Sequence, residues 1–187
     1  MNDVDVANRF FTVLAFVADA AVVALAVAWC ASRLTPRALG AWERVITLVG
    51  SQAVPLAVLV AAVATAGSLY YSEIADFTPC VLCWYQRICM YPLVPVLAVG
   101  ALRRDSSVRL YAAAFVVVGA PLALYHWLVE RVPALSDSVA CSASATCSAP
   151  YFEELGYVTL AFMALSAFLL IGALLLLDHA YDRMETP

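Results

Sequence analysis

Five long apolar stretches dominate this chain, at about residues 10–32, 46–71, 84–102, 108–129 and 155–177. A helix needs ~20 mostly apolar residues to cross the hydrocarbon core of a bilayer, and these stretches have that length. With 65% apolar and only 13% charged side chains, the chain is too apolar for an ordinary soluble domain. The expected fold is all-α: an integral membrane four-helix bundle with one additional N-terminal transmembrane helix, five spans in all. The first stretch does not read as a signal peptide. Its front carries Asp3 and Asp5 beside a single Arg9, and its apolar run exceeds the usual h-region.

Orientation follows from the basic residues, because arginines in short loops are held on the cytoplasmic side. Arg33, Arg37 and Arg44 fall between the first and second stretches, and Arg103, Arg104 and Arg109 between the third and fourth. Both loops are expected in the cytoplasm. The other two loops, with Glu73 and Asp76 in one and Glu130, Asp137, Glu153 and Glu154 against Arg131 in the other, are expected outside. The N-terminus then lies outside, the C-terminus inside, and lipid surrounds the spans. The net charge of −4 is spread over loop ends and tails and offers no nucleic-acid surface. Pro55, Pro92, Pro95 and Pro121 lie within the apolar stretches, where each removes an N–H and is expected to kink a helix.

Chemistry concentrates in the cysteines. Four of the six form two close pairs, Cys80 with Cys83 and Cys141 with Cys147, both in regions assigned outside. A CxxC pair at a helix start is a recurrent redox arrangement, because unpaired N–H groups and the positive dipole end lower a thiol pKa. Pro79 stops the incoming chain from continuing as helix. Cys80 is therefore expected at the edge and Cys83 one turn in, so the two thiols differ in access. Arg87 follows Cys83 by four residues, which on a helix places guanidinium and sulfur on one face. An arginine at a helix centre costs ~2.5–3.5 kcal/mol on insertion scales and less near the interface, so it snorkels or is paired. Beside a thiolate it has a partner, and it can also stabilise charge developing on a quinone oxygen.

The run Cys80-Val81-Leu82-Cys83-Trp84-Tyr85-Gln86-Arg87, continuing through Met90-Tyr91-Pro92-Leu93, closely resembles the quinone-dependent disulfide bond formation protein B family, especially its Gram-positive-type branch. Cys141 and Cys147, followed by Tyr151 and the helix start Leu155-Gly156-Tyr157-Val158-Thr159, look like that family's second pair and fourth helix. The resemblance covers about residues 45–177. It implies a division into an N-terminal helix and cytoplasmic loop (1–44), a four-helix redox domain (45–178) and a cytoplasmic tail (179–187). It also implies a membrane protein-disulfide:quinone oxidoreductase that supports disulfide bond formation. The second pair would oxidise a DsbA-like thioredoxin-fold protein, and the CxxC pair would pass the electrons to ubiquinone or menaquinone. By family position Cys141 takes the partner in a mixed disulfide, Cys147 is its mate and bridges to Cys80, and Cys83 meets the quinone. Gln86, Arg87 and His126 are the other residues expected on the quinone side; no metal is implied.

The chain departs from the family in its extra first helix, with Asp19 near the middle, and in the five residues that separate Cys141 from Cys147, where many members have a long insert. A buried carboxyl at Asp19 is expected to be protonated or paired, marks a contact with another helix, or is simply tolerated. Other readings remain open. Two close pairs make a four-cysteine zinc set, although the second spacing is wider than the usual knuckle. Two inert structural disulfides suit an oxidising compartment. A vitamin K epoxide reductase-like enzyme also couples loop cysteines to a membrane CxxC, but there the loop pair precedes the CxxC and here it follows. A non-enzymatic membrane scaffold is the last alternative. Cys30 and Cys89 have no close mate and read as packing residues. Trp84, Tyr85, Trp127, Tyr70 and Tyr71 read as an interfacial belt or as walls of a quinone pocket.

Overall fold

The computed structural model describes residues 3–136 and 147–185. Helices α1 (Asp3–Ser32), α2 (Pro36–Gly50), α3 (Ala53–Glu73), α4 (Val81–Met90), α5 (Leu93–Arg103), α6 (Val108–Arg131), α7 (Pro133–Ser136) and α8 (Leu160–Glu185) follow one another. The sole β feature among the described residues is an isolated bridge between Glu154 and Val158. Among the same residues, five units are long and apolar enough to cross a membrane: α1, α3, α4 with α5, α6 and α8. The expected all-α membrane fold is therefore what the chain adopts.

The sequence of each helix dictates which face packs. On α1, Val6, Phe10, Val13 and Val17 are exposed at spacings of three and four, while Asn8, Thr12, Ala15 and Ala18 are buried on the opposite side. Branched apolar side chains outward and small or polar ones inward is the pattern of a helix whose outer solvent is lipid. Helix α8 sits centrally, packed on α6, α3, α1 and α2. Its Phe168 and Ile171 are wholly buried against a core that includes Ala57 and Ala61 of α3 and Ala112 and Ala123 of α6. Those alanines let backbones approach closely, which is where helix association in lipid gains its contact energy.

Gly119 marks the tightest of these approaches. A Cβ there would lie 2.4 Å from the ring of Phe168 and 3.0 Å from Cβ of Cys89. Gly119→Val is therefore expected to separate α6 from α8 and to cost ~1–3 kcal/mol through overpacking. Thermal unfolding in detergent, followed by circular dichroism, should show a clearly lowered midpoint; an unchanged midpoint would mean that Phe168 swings away freely. At the end of the bundle farthest from Cys80, Arg109 ties α6 to α8 through Asp178 (2.9 Å) and Asp182 (2.7 Å).

The boundaries differ from the sequence expectation in three places. The second span begins at Ala53 rather than 46, because residues 36–50 form a separate helix, α2, capped by Thr35 with Pro36 at its start. Pro55 sits in the first turn of α3, where its missing N–H has no intrahelical partner to lose. The third span is broken at Tyr91–Pro92: Pro92 has no N–H to carry the ladder, and α5 restarts at Leu93. Pro121, by contrast, is accommodated inside a continuous α6. Lastly, Leu155-Gly156-Tyr157-Val158-Thr159 is not a helix start. Leu155 and Gly156 both have positive φ (54° and 78°), forming a turn, and α8 begins at Leu160 with Thr159 Oγ1 accepting from the Phe162 N–H.

Candidate functional site

Cys80 is the N-cap of α4, with extended backbone, and its sulfur accepts the Cys83 N–H at 3.2 Å. The two sulfurs lie 2.8 Å apart, as free thiols. The two thiols do differ in access. Cys80 is only 5% exposed because Leu82, Val129 and Cys147 pack around it, whereas Cys83, one turn on, is half-buried and lines a cavity.

His126 reaches this pair from α6. Its Nε2 stands 3.6 Å from the Cys80 sulfur, and its Nδ1 accepts from the Gln86 amide at 2.7 Å. With Nδ1 accepting, the neutral ring carries its proton on Nε2, facing both Cys80 and a Glu130 carboxylate oxygen at 3.8 Å. The other Glu130 oxygen accepts from Thr159 Oγ1 at 2.6 Å. The Cys83 thiol, donating to the Cys80 sulfur, holds the Cys80 pKa well below the usual thiol range; burial opposes this, and His126 assists. In the fully reduced protein a thiolate signal should therefore persist at about pH 6, where an ordinary thiol with pKa ~8.5 is almost wholly protonated. Thiolate ultraviolet absorbance across a pH titration measures it. Loss of the signal in step with an ordinary thiol would refute the assignment, and His126→Ala should shift the titration upward.

Arg87 shares the cavity with Cys83. Its guanidinium is fixed by Ser68, with Nε donating to Oγ at 3.0 Å and Nη2 to the backbone carbonyl at 2.9 Å. It lies over the rings of Trp84 (5.3 Å) and Tyr91 (6.0 Å), and Tyr91 donates to the same Ser68 hydroxyl at 3.1 Å. The cavity has a volume of about 370 Å³, within the ~300–1,000 Å³ usual for small-molecule sites. Ser68, Gln86, Arg87 and His126 converge at its cysteine end, and mostly apolar side chains, largely from α1, α3 and α8, line the remainder. That division suits a ring carrying carbonyls with a hydrocarbon tail behind it. Cys83, Gln86, Arg87 and His126 thus come together at one cavity, although Gln86 and Arg87 direct their hydrogen bonds to His126 and Ser68.

Cys147 is held in a disulfide; Cys141 lies outside the described residues. The segment after Cys147 is fastened to the rest. Tyr151 stacks on Phe77, ring centroids 4.4 Å apart, and donates to the Thr78 carbonyl at 2.8 Å. Trp127 and Arg131 donate to the carbonyls of Tyr157 and Gly156, and Arg131 pairs with Glu153 at 3.1 Å.

Ser68 was not named from sequence, Glu130 was read as a loop acid but its side chain is buried in the last turn of α6, and Thr159 was read only as part of a helix start. A serine in an alanine-rich span and a glutamate four residues beyond a histidine were the available signals, since polar side chains in a span face its interior and i,i+4 neighbours share a face. Cys30 and Cys89 take no part: Cys30 is exposed and Cys89 is packed in the core.

Comparison with known proteins assigns the chain to a family. The family model described as disulfide bond formation protein DsbB matches residues 50–178. A probable disulfide formation protein C of Halalkalibacterium halodurans is 44% identical over 60% of this chain and 82% of its own length. The disulfide bond formation protein C of Bacillus subtilis is 43% identical over the same shares, and a probable disulfide formation protein of Coxiella burnetii is 38% identical over 64% of this chain and 82% of its own length. No solved structure matches the chain. A multi-pass helical membrane protein with its thiols poised for exchange, this chain belongs to the disulfide bond formation protein DsbB family and is a disulfide oxidoreductase of membrane disulfide formation.

Proposed function

We propose that the chain reoxidises an extracytoplasmic DsbA-like thioredoxin-fold protein and delivers the electrons to a membrane quinone. The observation that carries this reading is the split environment of the CxxC pair: Cys80 packs with disulfide-bonded Cys147, and Cys83 opens on the 370 Å³ cavity. One sulfur faces a protein disulfide and the other a small-molecule chamber. The arginine distribution supports an arrangement with the N-terminus and both redox segments outside and the C-terminus in the cytoplasm.

The steps balance as thiol–disulfide exchange. The partner's thiolate attacks the Cys141–Cys147 disulfide at Cys141, and resolution leaves the partner oxidised with Cys141 and Cys147 as dithiol. Cys147 then attacks the Cys80–Cys83 disulfide at Cys80, forming a Cys147–Cys80 bond and releasing Cys83 as thiolate. Attack of Cys141 on Cys147 restores the first disulfide and expels Cys80. A sulfur with lowered pKa leaves faster, which gives the contacts of Cys80 with Cys83 and His126 a kinetic purpose. Cys83 and Cys80 finally yield two electrons and two protons and close again as a disulfide. A quinone held beside Cys83 by Arg87 and Gln86 would supply the two-electron, two-proton acceptor. Arg87 orients and stabilises negative charge at that end of the cavity, and His126 with Glu130 offers a path for the proton at Cys80.

Purified protein given a reduced thioredoxin-fold dithiol and a short-chain quinone should consume one quinone per dithiol oxidised. Dithiol oxidation without quinone consumption under anaerobic conditions would sink this reading.

A further inference from the structure

Helix α1 lies wholly outside the residues matched by the family model, yet it lines the cavity beside Cys83. Phe11, Leu14, Ala15 and Ala18 fall at positions i, i+3, i+4 and i+7, one face of the helix, and all four border the cavity. The face is held in register with α3. Asn8 Oδ1 accepts from the Tyr71 hydroxyl at 2.9 Å, and the Phe11 ring packs where a Cβ on Gly67 would lie 2.8 Å from it. A side chain at 67 would force that ring to move. Lower down, Asp19 comes up against Ser166 of α8, whose hydroxyl donates to the Phe162 carbonyl at 3.1 Å, so α1 meets its neighbours on both sides of Ala15 and Ala18. Those two small residues, both buried, leave the room that the cavity occupies. Along α8 the lining runs from Leu160 to Leu170, ~15 Å at 1.5 Å per residue, longer than a ring alone requires.

We infer that α1 is a specificity wall: it closes the electron acceptor's chamber against lipid and, through Phe11, Ala15 and Ala18, sets what size of ring and first tail units enter. This inference rests on the quinone reading of the cavity. A chamber with this wall accepts a quinone whose tail runs along the Ala15 and Ala18 face. Filling that face excludes the tail, whereas truncating Phe11 relaxes the choice.

The full-length protein in detergent can be photolabelled with a short-chain ubiquinone analogue bearing an azide on its ring or first isoprene unit. Adducts are expected on the peptide containing Phe11 to Ala18 as well as on α4, and excess unlabelled quinone should suppress both. In steady state, Ala18→Phe should raise the KM for a tailed quinone at least ~tenfold, a difference of ~1.4 kcal/mol, and affect a tail-less quinone less. Phe11→Ala should narrow the preference between quinones of different tail length. Val13→Phe, on the lipid-facing side, should leave all of these values unchanged. Because Ala18→Phe risks misfolding, the labelling of unaltered protein stands as an independent test. Labelling of α4 with none on α1, or KM values indifferent to Ala18→Phe and Phe11→Ala in folded protein, would overturn the inference while leaving the quinone reading intact. Unaltered protein that neither reduces nor is labelled by quinones would overturn the quinone reading itself.

Discussion

Cys83→Ser should reduce quinone-coupled turnover by at least ~10³-fold, a barrier increase of ~4 kcal/mol. A serine hydroxyl is neither a disulfide partner nor a two-electron donor, so nothing in the cavity can replace the lost sulfur. The variant should still meet its partner, because the face of Cys80 that packs with Cys147 is untouched. The expected signature is therefore an enzyme that accepts electrons from a dithiol once and stops. Rapid mixing with reduced partner should give a single stoichiometric burst of thiol oxidation, with quinone absorbance unchanged. Cys80→Ser should lose turnover as fully, and without the sulfur that Cys147 attacks it should form no Cys147–Cys80 bond. Steady quinone reduction by either variant would place the electron exit at another atom.

Arg87→Ala is expected to raise the KM for quinone and lower kcat, for a combined loss of ~10- to 150-fold in kcat/KM. That range corresponds to the ~1.5–3 kcal/mol of a hydrogen bond to a charged group. The loss has two sources: the cavity forfeits its cation, and Ser68 and Tyr91 lose the group that organises them. Arg87→Lys should recover little, because a single ammonium cannot reproduce the Nε and Nη2 fork onto the Ser68 hydroxyl and carbonyl. Ser68→Ala should fall between, since it removes the hydroxyl and keeps the carbonyl. If Arg87→Lys matched the unaltered enzyme, charge alone would be sufficient and the fork irrelevant. The KM for the dithiol partner serves as the internal reference and should move far less.

The spans were legible because each helix must be apolar over the bilayer thickness whatever it touches, so hydropathy alone locates α3, α6 and α8. The CxxC start of α4 was legible for a similar reason: Pro79 and the cap position are local properties of the chain. What stayed hidden depends on partners distant in sequence. The residues of α2 merged with the second span because its apolar face packs on α1 and α8, a tertiary fact that a hydropathy window does not separate. The turn at Leu155 and Gly156 is held by Trp127 and Arg131 from another helix, and its local sequence reads as apolar continuation. Arg87 was placed on the face of Cys83 by spacing alone, yet its anchoring to Ser68, nineteen residues away, has no local signature. Likewise, His126 was visible as a polar side chain at the end of a span, while its contact with Cys80 belongs to the packing of α6 against α4.

The stacked Phe77 and Tyr151 rings join the chain just before Cys80 to the chain just after Cys147. Much of the rotational and translational entropy of bringing the two sulfurs together is therefore spent when the protein folds rather than at each turnover. Effective molarities in well-oriented intramolecular reactions reach ~10⁵–10⁸ M, so the proposed hand-off between the pairs would be first-order and independent of dilution. In the proposed relay, encounter with the soluble dithiol and exchange of the lipid-phase acceptor would then be the concentration-dependent events, and the pace would follow whichever of those two pools runs short.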